Sequence, residues 1–354
     1  MGNAIDIKLV NGLAGDPAIC VNFTQAGESL LFDAGSLETM TSRELLKVRV
    51  VAISHTHVDH FIGFDRLIRV NVPHFRTVEV VGPTGIIENI RGKLTGYLWN
   101  LLEPDQVNFV VHELSKIGRI RSVKISNTFN FEARPVGTSE ANESPQGPGV
   151  AVHVPLLQSV GYSLRATVVD HGTDVLAFCL TVPDALAVNK EKLAASSFEP
   201  GPWIGDLQKK AASGDLTGTI EIGGKTISAL ELAKDLLQPR LGESVVYVTD
   251  MVFSEANMRS LKSLTDRPVD LVISEANYLA SDRDKAQLKK HLTTTQAALI
   301  AALLSAKKLQ IFHISNIYGQ DTETSLNESA AAFDQLRGLG LAECQRVAST
   351  EYTV

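Results

Sequence analysis

The sequence has 354 residues, 44% hydrophobic and 21% charged, the balance of a folded globular protein of one large or two small domains and not of a disordered chain. Its formal net charge of −7 provides no global basic field, so nucleic-acid binding by bulk electrostatics is disfavoured and only a local patch is left open to it. Cys20, Cys179 and Cys344 are odd in number and far apart without a CxxC pair, so neither a disulfide framework nor a zinc ribbon is expected; a reducing cytoplasm fits, and with no leader-like N-terminal pattern and no apolar run near ~18 residues, no membrane partner is expected.

The first third alternates β-rich runs with turns: IDIKLV, ICVNFTQ, ESLLFDAG and VRVVAIS read as successive strands of one sheet. After HTHVDH, at positions 55 to 60, Phe61, Phe64, Leu67 and Ile68 recur at helical spacing, which puts the histidines in a turn between strand and helix. TVEVVG is the next strand, IIENIRGKLTGYLWNLL a helix and VNFVVHEL a further strand, followed by a polar Gly/Pro loop at 137–149. SLRATVVDHG, VLAFCLTV, SVVYVTDM, VDLVISEAN and LQIFHISN are apolar strand-like runs, four of which carry His, Asp or Glu at or near their ends. Helices are expected at SDRDKAQLKKH, TTTQAALIAALLSAKK and NESAAAFDQLRGLG. Strands leading and helices filling in behind favour layered sheets with outer helices, and no internal repeat is visible. Between Pro183 and Gly242 the rhythm changes and reads as an inserted arm, nearly neutral with seven Lys/Arg against eight Asp/Glu over 184–240.

In the turn after a strand, His55 and His57 can point the same way, while Asp59 and His60 turn with the helix start toward a neighbouring point. Four donors thus converge on two adjacent places, and imidazole with carboxylate suits zinc, manganese or iron. Two metals with three or four protein donors each need roughly seven donors in all. His171 ends TVVDH, Asp250 ends SVVYVTD and His313 ends LQIFH, each at the tip of an apolar run. Singly, each could be a loop or cap residue; the repeated placement is what carries weight.

Several segments carry a resemblance. LLFDAGS resembles LFDCGEGT, TVEVVGPTGIIENI a strand, Gly-Pro and helix, EKLAASSFEPGPWIGDLQKK a Gly-Pro-containing substrate arm, VDLVISEANY with HLTTTQAA the segments HEATY and HST, and FHISNIY the segment THFSQRY. The chain is similar over nearly its whole length to the metallo-β-lactamase superfamily and, within it, to the ribonuclease Z branch that processes tRNA 3′ ends. The resemblance implies an α+β fold, an αββα sandwich of two packed sheets flanked by outer helices, as a single domain over 1–354 with a substrate-arm-like insertion at about 184–242. It implies two divalent ions, zinc first with manganese or iron as alternatives, held by His55, His57 and His171 on one side and Asp59, His60 and His313 on the other, with Asp250 bridging. Asp59, His291 and Glu275 are the implied catalytic residues, with the Glu275/His291 pair assisting departure of the leaving group. Read without the resemblance, His291 could be a helix C-terminal residue favoured by the dipole and Glu275 a solvated strand-end charge.

The implied reaction is phosphodiester hydrolysis at RNA 3′ ends by a hydroxide held between the metals, with Asp33 among the groups that could fix histidine tautomers. The implied partners are a precursor-tRNA-like RNA or a small phosphodiester, and a second copy of the chain in a homodimer. The chain departs from the family's pattern at VTDM in place of GDT, at Ile317 in place of an arginine, and at Thr173, Val175 and Ala177 in place of serine and tyrosine. These changes favour an alternative on the same scaffold, a hydrolase of a cyclic nucleotide, thioester or lactone. His74, His112 and His153 match no motif and read as surface or packing residues. Trp203 of PGPW could stack on a base or pack down its own loop.

Overall fold

The computed structural model describes residues 4–24, 26–136, 161–319 and 321–352 together with the backbone of 152–154, so the polar loop at 137–149 and the side chain of His153 lie outside the described residues. By contacts the chain divides into two compact units, one of residues 5–181 and 244–354, the other chiefly residues 182–243.

The larger unit is built on two sheets. The first contains β1 (Ile5–Leu9), β2 (Ile19–Phe23), β3 (Glu28–Phe32), β4 (Val48–Ala52), β5 (Thr77–Pro83), β6 (Asn108–Leu114), β7 (Ile120–Ser126) and β8 (Ala133–Pro135) in simple sequence order. Its centre, β3 to β6, is parallel, and its flanks are antiparallel. The second sheet runs β18-β17-β16-β11-β10-β9 and is formed by β9 (Val152–Val154), β10 (Ser163–Asp170), β11 (Asp174–Val182), β16 (Glu243–Val248), β17 (Leu271–Glu275) and β18 (Lys308–Phe312), the last three parallel.

Central strands are apolar on both sides because both faces are covered. One side of the first sheet packs Leu31, Val51, Val78 and Val80 against Phe64, Leu67, Ile87 and Ile90 of α3 (Phe64–Asn71) and α4 (Ile86–Thr95), which follow the short α1 (Ser42–Leu45) and α2 (Val58–Phe61). On the other side Phe32 stacks on Tyr247 of β16 at 4.9 Å and meets Phe178 of β11 at 5.7 Å, joining the two sheets.

The smaller unit contains α5 (Lys190–Ala195), α6 (Trp203–Ala212), α7 (Ala229–Leu236), the antiparallel pair β12 (Ala185–Val188) and β15 (Leu237–Arg240), and the hairpin β13 (Thr219–Ile222) and β14 (Lys225–Ser228). That hairpin turns through Gly223 and Gly224 at φ of +57° and +78°, a two-residue connection that only glycine enters freely. Trp203 is buried in this unit's core with Leu207, Ile220 and Leu232, and its indole N–H donates to the Glu199 carbonyl at 2.9 Å, so it packs down its own loop. The outer layer of the second sheet is made by α8 (Glu255–Ser263), α9 (Arg283–Lys289), α10 (Thr294–Leu303), α11 (Glu323–Arg337) and α12 (Leu341–Glu351).

The helix expected over 86–102 stops at Thr95. Gly96 caps it, and the Trp99 indole N–H donates to the Leu94 carbonyl at 2.6 Å, so a carbonyl that would have continued the helix is used by a side chain. No helix among the described residues is long and apolar enough to cross a membrane.

Candidate metal centre

β4 ends at Ala52, and the chain then turns through residues 53–57 into α2, which carries Asp59 and His60. That turn rests on a second loop, 33–36: the Ala34 amide donates to the His60 carbonyl and the Gly63 amide to the Ala34 carbonyl, both at 2.9 Å. The approach needs glycine, since a Cβ at Gly63 would stand 1.9 Å from the Gly35 carbonyl oxygen and one at Gly35 would stand 2.5 Å from that of Asp59.

Two donor groups result. His55, His57, His171 and Asp250 each offer an atom within 4.8 Å of the others, and so do Asp59, His60 and His313; a third grouping brings His291 to Asp250 and His313. Asp250 lies two residues past β16 and His313 one residue past β18, with a left-handed φ of 56°; His171 directly follows β10. Sheet edges therefore deliver the distant donors to the histidine turn.

Spacing and hydrogen bonding indicate what the donors fit. The Nε2 atoms of His55, His60 and His171 stand 3.8, 3.5 and 3.6 Å from Asp250 Oδ2, and that of His313 stands 3.4 Å from Oδ1. These separations are long for hydrogen bonds, but donors at 2.0–2.2 Å from a tetrahedral ion are themselves about 3.4 Å apart. His55 Nε2 and His60 Nε2 are buried without a hydrogen-bond partner. The opposite nitrogens are all engaged: Nδ1 of His60 with Asp33 Oδ2 at 2.8 Å, of His55 with Ser54 Oγ at 3.1 Å, and of His171 with the Lys290 carbonyl at 2.7 Å. A carbonyl or carboxylate only accepts, and the Ser54 hydroxyl already donates to Asp33 at 2.8 Å, so each Nδ1 carries a proton, and in the neutral ring each Nε2 presents a lone pair. The donor set suits zinc, manganese or iron and lacks the thiolates of a structural site.

Charge follows the same logic. Burial pushes the His55 imidazole down to about 2, and the charge of His60 beside it acts in the same direction, so His55 is neutral, as a ligand must be. His60 differs: burial opposes its charge, but Asp250 and Asp33 outweigh burial and raise its pKa, so ligation at its Nε2 would release a proton. Burial opposes the Asp250 carboxylate, yet the surrounding histidines hold it well below the usual range.

His291 and Glu275 lie beside the second group. Glu275 is fully buried and not a solvated strand end; its Oε1 accepts the Met251 and Leu292 amides at 3.1 and 3.2 Å, and its Oε2 meets His291 Nδ1 at 2.8 Å. His291 follows Lys290, the left-handed cap of α9, and its side chain turns to Glu275. Burial alone would lower the His291 pKa, but the Glu275 carboxylate wins and raises it to about 9. Between these groups opens a cleft of about 520 Å³, walled by Ala14, Asp16, Asn277, Asn316 and Ile317 as well as the donors.

Among the other histidines, His112 bonds Ser122 Oγ at 2.8 Å within the first sheet, and His74 ends a short 3-10 turn. Two participants had no signal in the sequence: Tyr247, whose hydroxyl donates to Asp33 Oδ2 at 2.6 Å from within an apolar strand, and the Lys290 carbonyl.

No family model matches the chain. Among individual proteins it is 29% identical over 313 residues to ribonuclease Z of Deinococcus radiodurans, covering 87% of this chain and 89% of that one. It is 26% identical over 350 residues to zinc phosphodiesterase ELAC protein 1 of Mus musculus, covering 90% and 89%. Among solved structures, the metallo-β-lactamase fold protein YhfI from Bacillus subtilis superposes with a TM-score of 0.51 at 14% identity, covering 93% of each chain. Human tRNase Z, short form, superposes with a TM-score of 0.50 at 19% identity, covering 89% of this chain and 92% of that one.

Proposed function

We propose that this chain, which has the metallo-β-lactamase fold and a sequence similar to ribonuclease Z along most of its length, is a metal-dependent phosphodiesterase hydrolysing the 3′ ends of precursor-tRNA-like RNA. The observation that carries this reading is a pair of adjacent donor groups, with Asp250 in the first and within 3.5 Å of His60 and 3.4 Å of His313 in the second, and with the His291–Glu275 pair beside them. Within it, His55, His57 and His171 hold one divalent ion, Asp59, His60 and His313 the other, Asp250 serves both, and zinc is the first choice. Bound there, such ions supply Lewis acidity, acidify water and neutralise charge on the phosphoryl oxygens.

The chain's own residues do the rest. Asp59 and Asp250 bring the negative charge that lets two cations share a small volume. Glu275, fixed by two backbone amides, keeps His291 protonated at neutral pH, and His291 hands that proton to the departing alkoxide, a poor leaving group that needs one. Residues 184–242 are then a substrate arm inserted into one metallo-β-lactamase-like domain, and since the arm is nearly neutral it would read RNA by shape more than by charge. The same resemblance makes the chain a cytoplasmic homodimer, which light scattering on the purified protein checks.

Metal-loaded protein is expected to cleave precursor tRNA, to lose activity in EDTA and to regain it with zinc or manganese. His57→Ala should be nearly inactive; normal cleavage by this variant would remove the mechanism. His291→Ala should turn over more slowly at unchanged metal content. Because His291 works in its protonated form, activity should fall as pH rises through about 9. Glu275→Gln removes the charge that holds the proton, so this alkaline limb should move to lower pH, read from kcat against pH.

A second reading, a small or cyclic phosphodiester as substrate, is favoured by the cleft wall, which contains Ile317 and, among the described residues, no lysine or arginine. Rates on precursor tRNA, bis(p-nitrophenyl) phosphate and a thioester, measured side by side, decide between them.

A further inference from the structure

A substrate longer than its scissile linkage brings further phosphates to the cleft, and Asp16, Asp59 and Asp250 line that cleft with no lysine or arginine among the described residues. One cation stands close by. Lys290 immediately precedes His291, adopts a left-handed backbone at φ 62° and ψ 34°, and accepts the His171 ring N–H on its carbonyl at 2.7 Å. Its side chain folds back over the turn after His171. Gly172 has φ +83°, and a Cβ there would stand 2.2 Å from Lys290 Nζ and 3.1 Å from its Cδ, so the missing side chain is what leaves the ammonium its place. Lys290 is thus tied at its backbone to one proposed ligand and to the proposed acid, with its charge lying against the residue after that ligand.

Lys116 and Lys285 are already committed, to Asp174 at 2.6 Å and to Asp282 at 2.7 Å. The Lys290 ammonium is exposed and pairs with no carboxylate among the described residues. An unpaired ammonium lying against Gly172, next in the chain to His171 of the cleft wall, is suited to a phosphate.

We propose that Lys290 forms a subsite for a phosphate flanking the scissile linkage of the substrate. This rests on the phosphodiesterase reading above. The test compares UpU, with its single phosphate, and pUpUp, in which a phosphate flanks the linkage on each side, using zinc-loaded full-length protein. The wild type should prefer pUpUp by about tenfold in kcat/KM, with the difference in KM, as expected for one charge-assisted contact. Added salt should shrink the preference. Lys290→Gln should bring the ratio to about one and Lys290→Arg should restore it. Because the readout is a ratio, general damage to the fold or the metal site cancels. A preference that survives in Lys290→Gln, or a wild type that cleaves both dinucleotides equally, overturns the subsite and leaves the hydrolytic centre standing. Cleavage of neither dinucleotide by protein that still cuts precursor tRNA overturns the subsite alone, and cleavage of none of the three overturns the phosphodiesterase reading with it.

Discussion

Asp33 holds a left-handed backbone at φ 56°, a conformation that costs a non-glycine residue about 1 kcal/mol or more, and it is fully buried. Four donors offset that cost: the Ser54 amide at 2.6 Å, its hydroxyl at 2.8 Å, the His60 ring at 2.8 Å and the Tyr247 hydroxyl at 2.6 Å. Burial and the Asp33 carboxylate both raise the Tyr247 pKa, so the phenol stays a donor. Asp33→Asn would turn an amide N–H toward groups that themselves donate, and the His60 tautomer would no longer be fixed. Zinc affinity, measured by chelator competition, should fall about 10- to 100-fold; unchanged affinity would refute the supporting role. Cysteine chemistry is also settled by surroundings: all three thiols are buried, and burial pushes Cys20 up to about 11. The native chain should therefore leave Ellman's reagent unreacted at pH 8, and the urea-unfolded chain should titrate three thiols.

Elements legible in the sequence are those whose cause is local. IDIKLV and VRVVAIS contain β1 and β4 because apolar β-formers end at turn residues, and the histidine turn is readable because its donors lie within six positions. What could not be read depends on distant partners. The Asp33 bond to Tyr247 spans 214 positions, and the end of α4 depends on a Trp99 indole reaching back to a carbonyl. Glycines separate the two kinds of cause. Gly92 sits in α4 with nothing within 4 Å of where its Cβ would be, so Gly92→Ala should stabilise the protein by up to about 1 kcal/mol. Gly63 faces the Gly35 carbonyl, so Gly63→Ala should destabilise by about 1–3 kcal/mol as the loop under the histidines is pushed away. Urea unfolding measures both, and equal effects would mean that the loop contact is slack.

At the scale of the molecule, the change of rhythm in the sequence falls at 183–242, and residues 182–243 form a compact unit with their own core. Its hairpin and three helices were not legible, because short elements in a polar stretch carry little periodicity. The candidate metal centre has a different relation to the fold. His55, His57, Asp59 and His60 come from the first sheet, whereas His171, Asp250 and His313 come from the second. Zinc that binds only the assembled sandwich adds about 2.7 kcal/mol at a hundredfold excess over its Kd, so chelation should lower the unfolding temperature and added zinc should raise it. Asp33 reaches across the same seam, grasping a ring from one layer and a phenol from the other. Were the gene divided so that the layers were made as separate polypeptides, each would be a poor chelator by itself, and the ion would become the rivet whose capture reports that they had found one another.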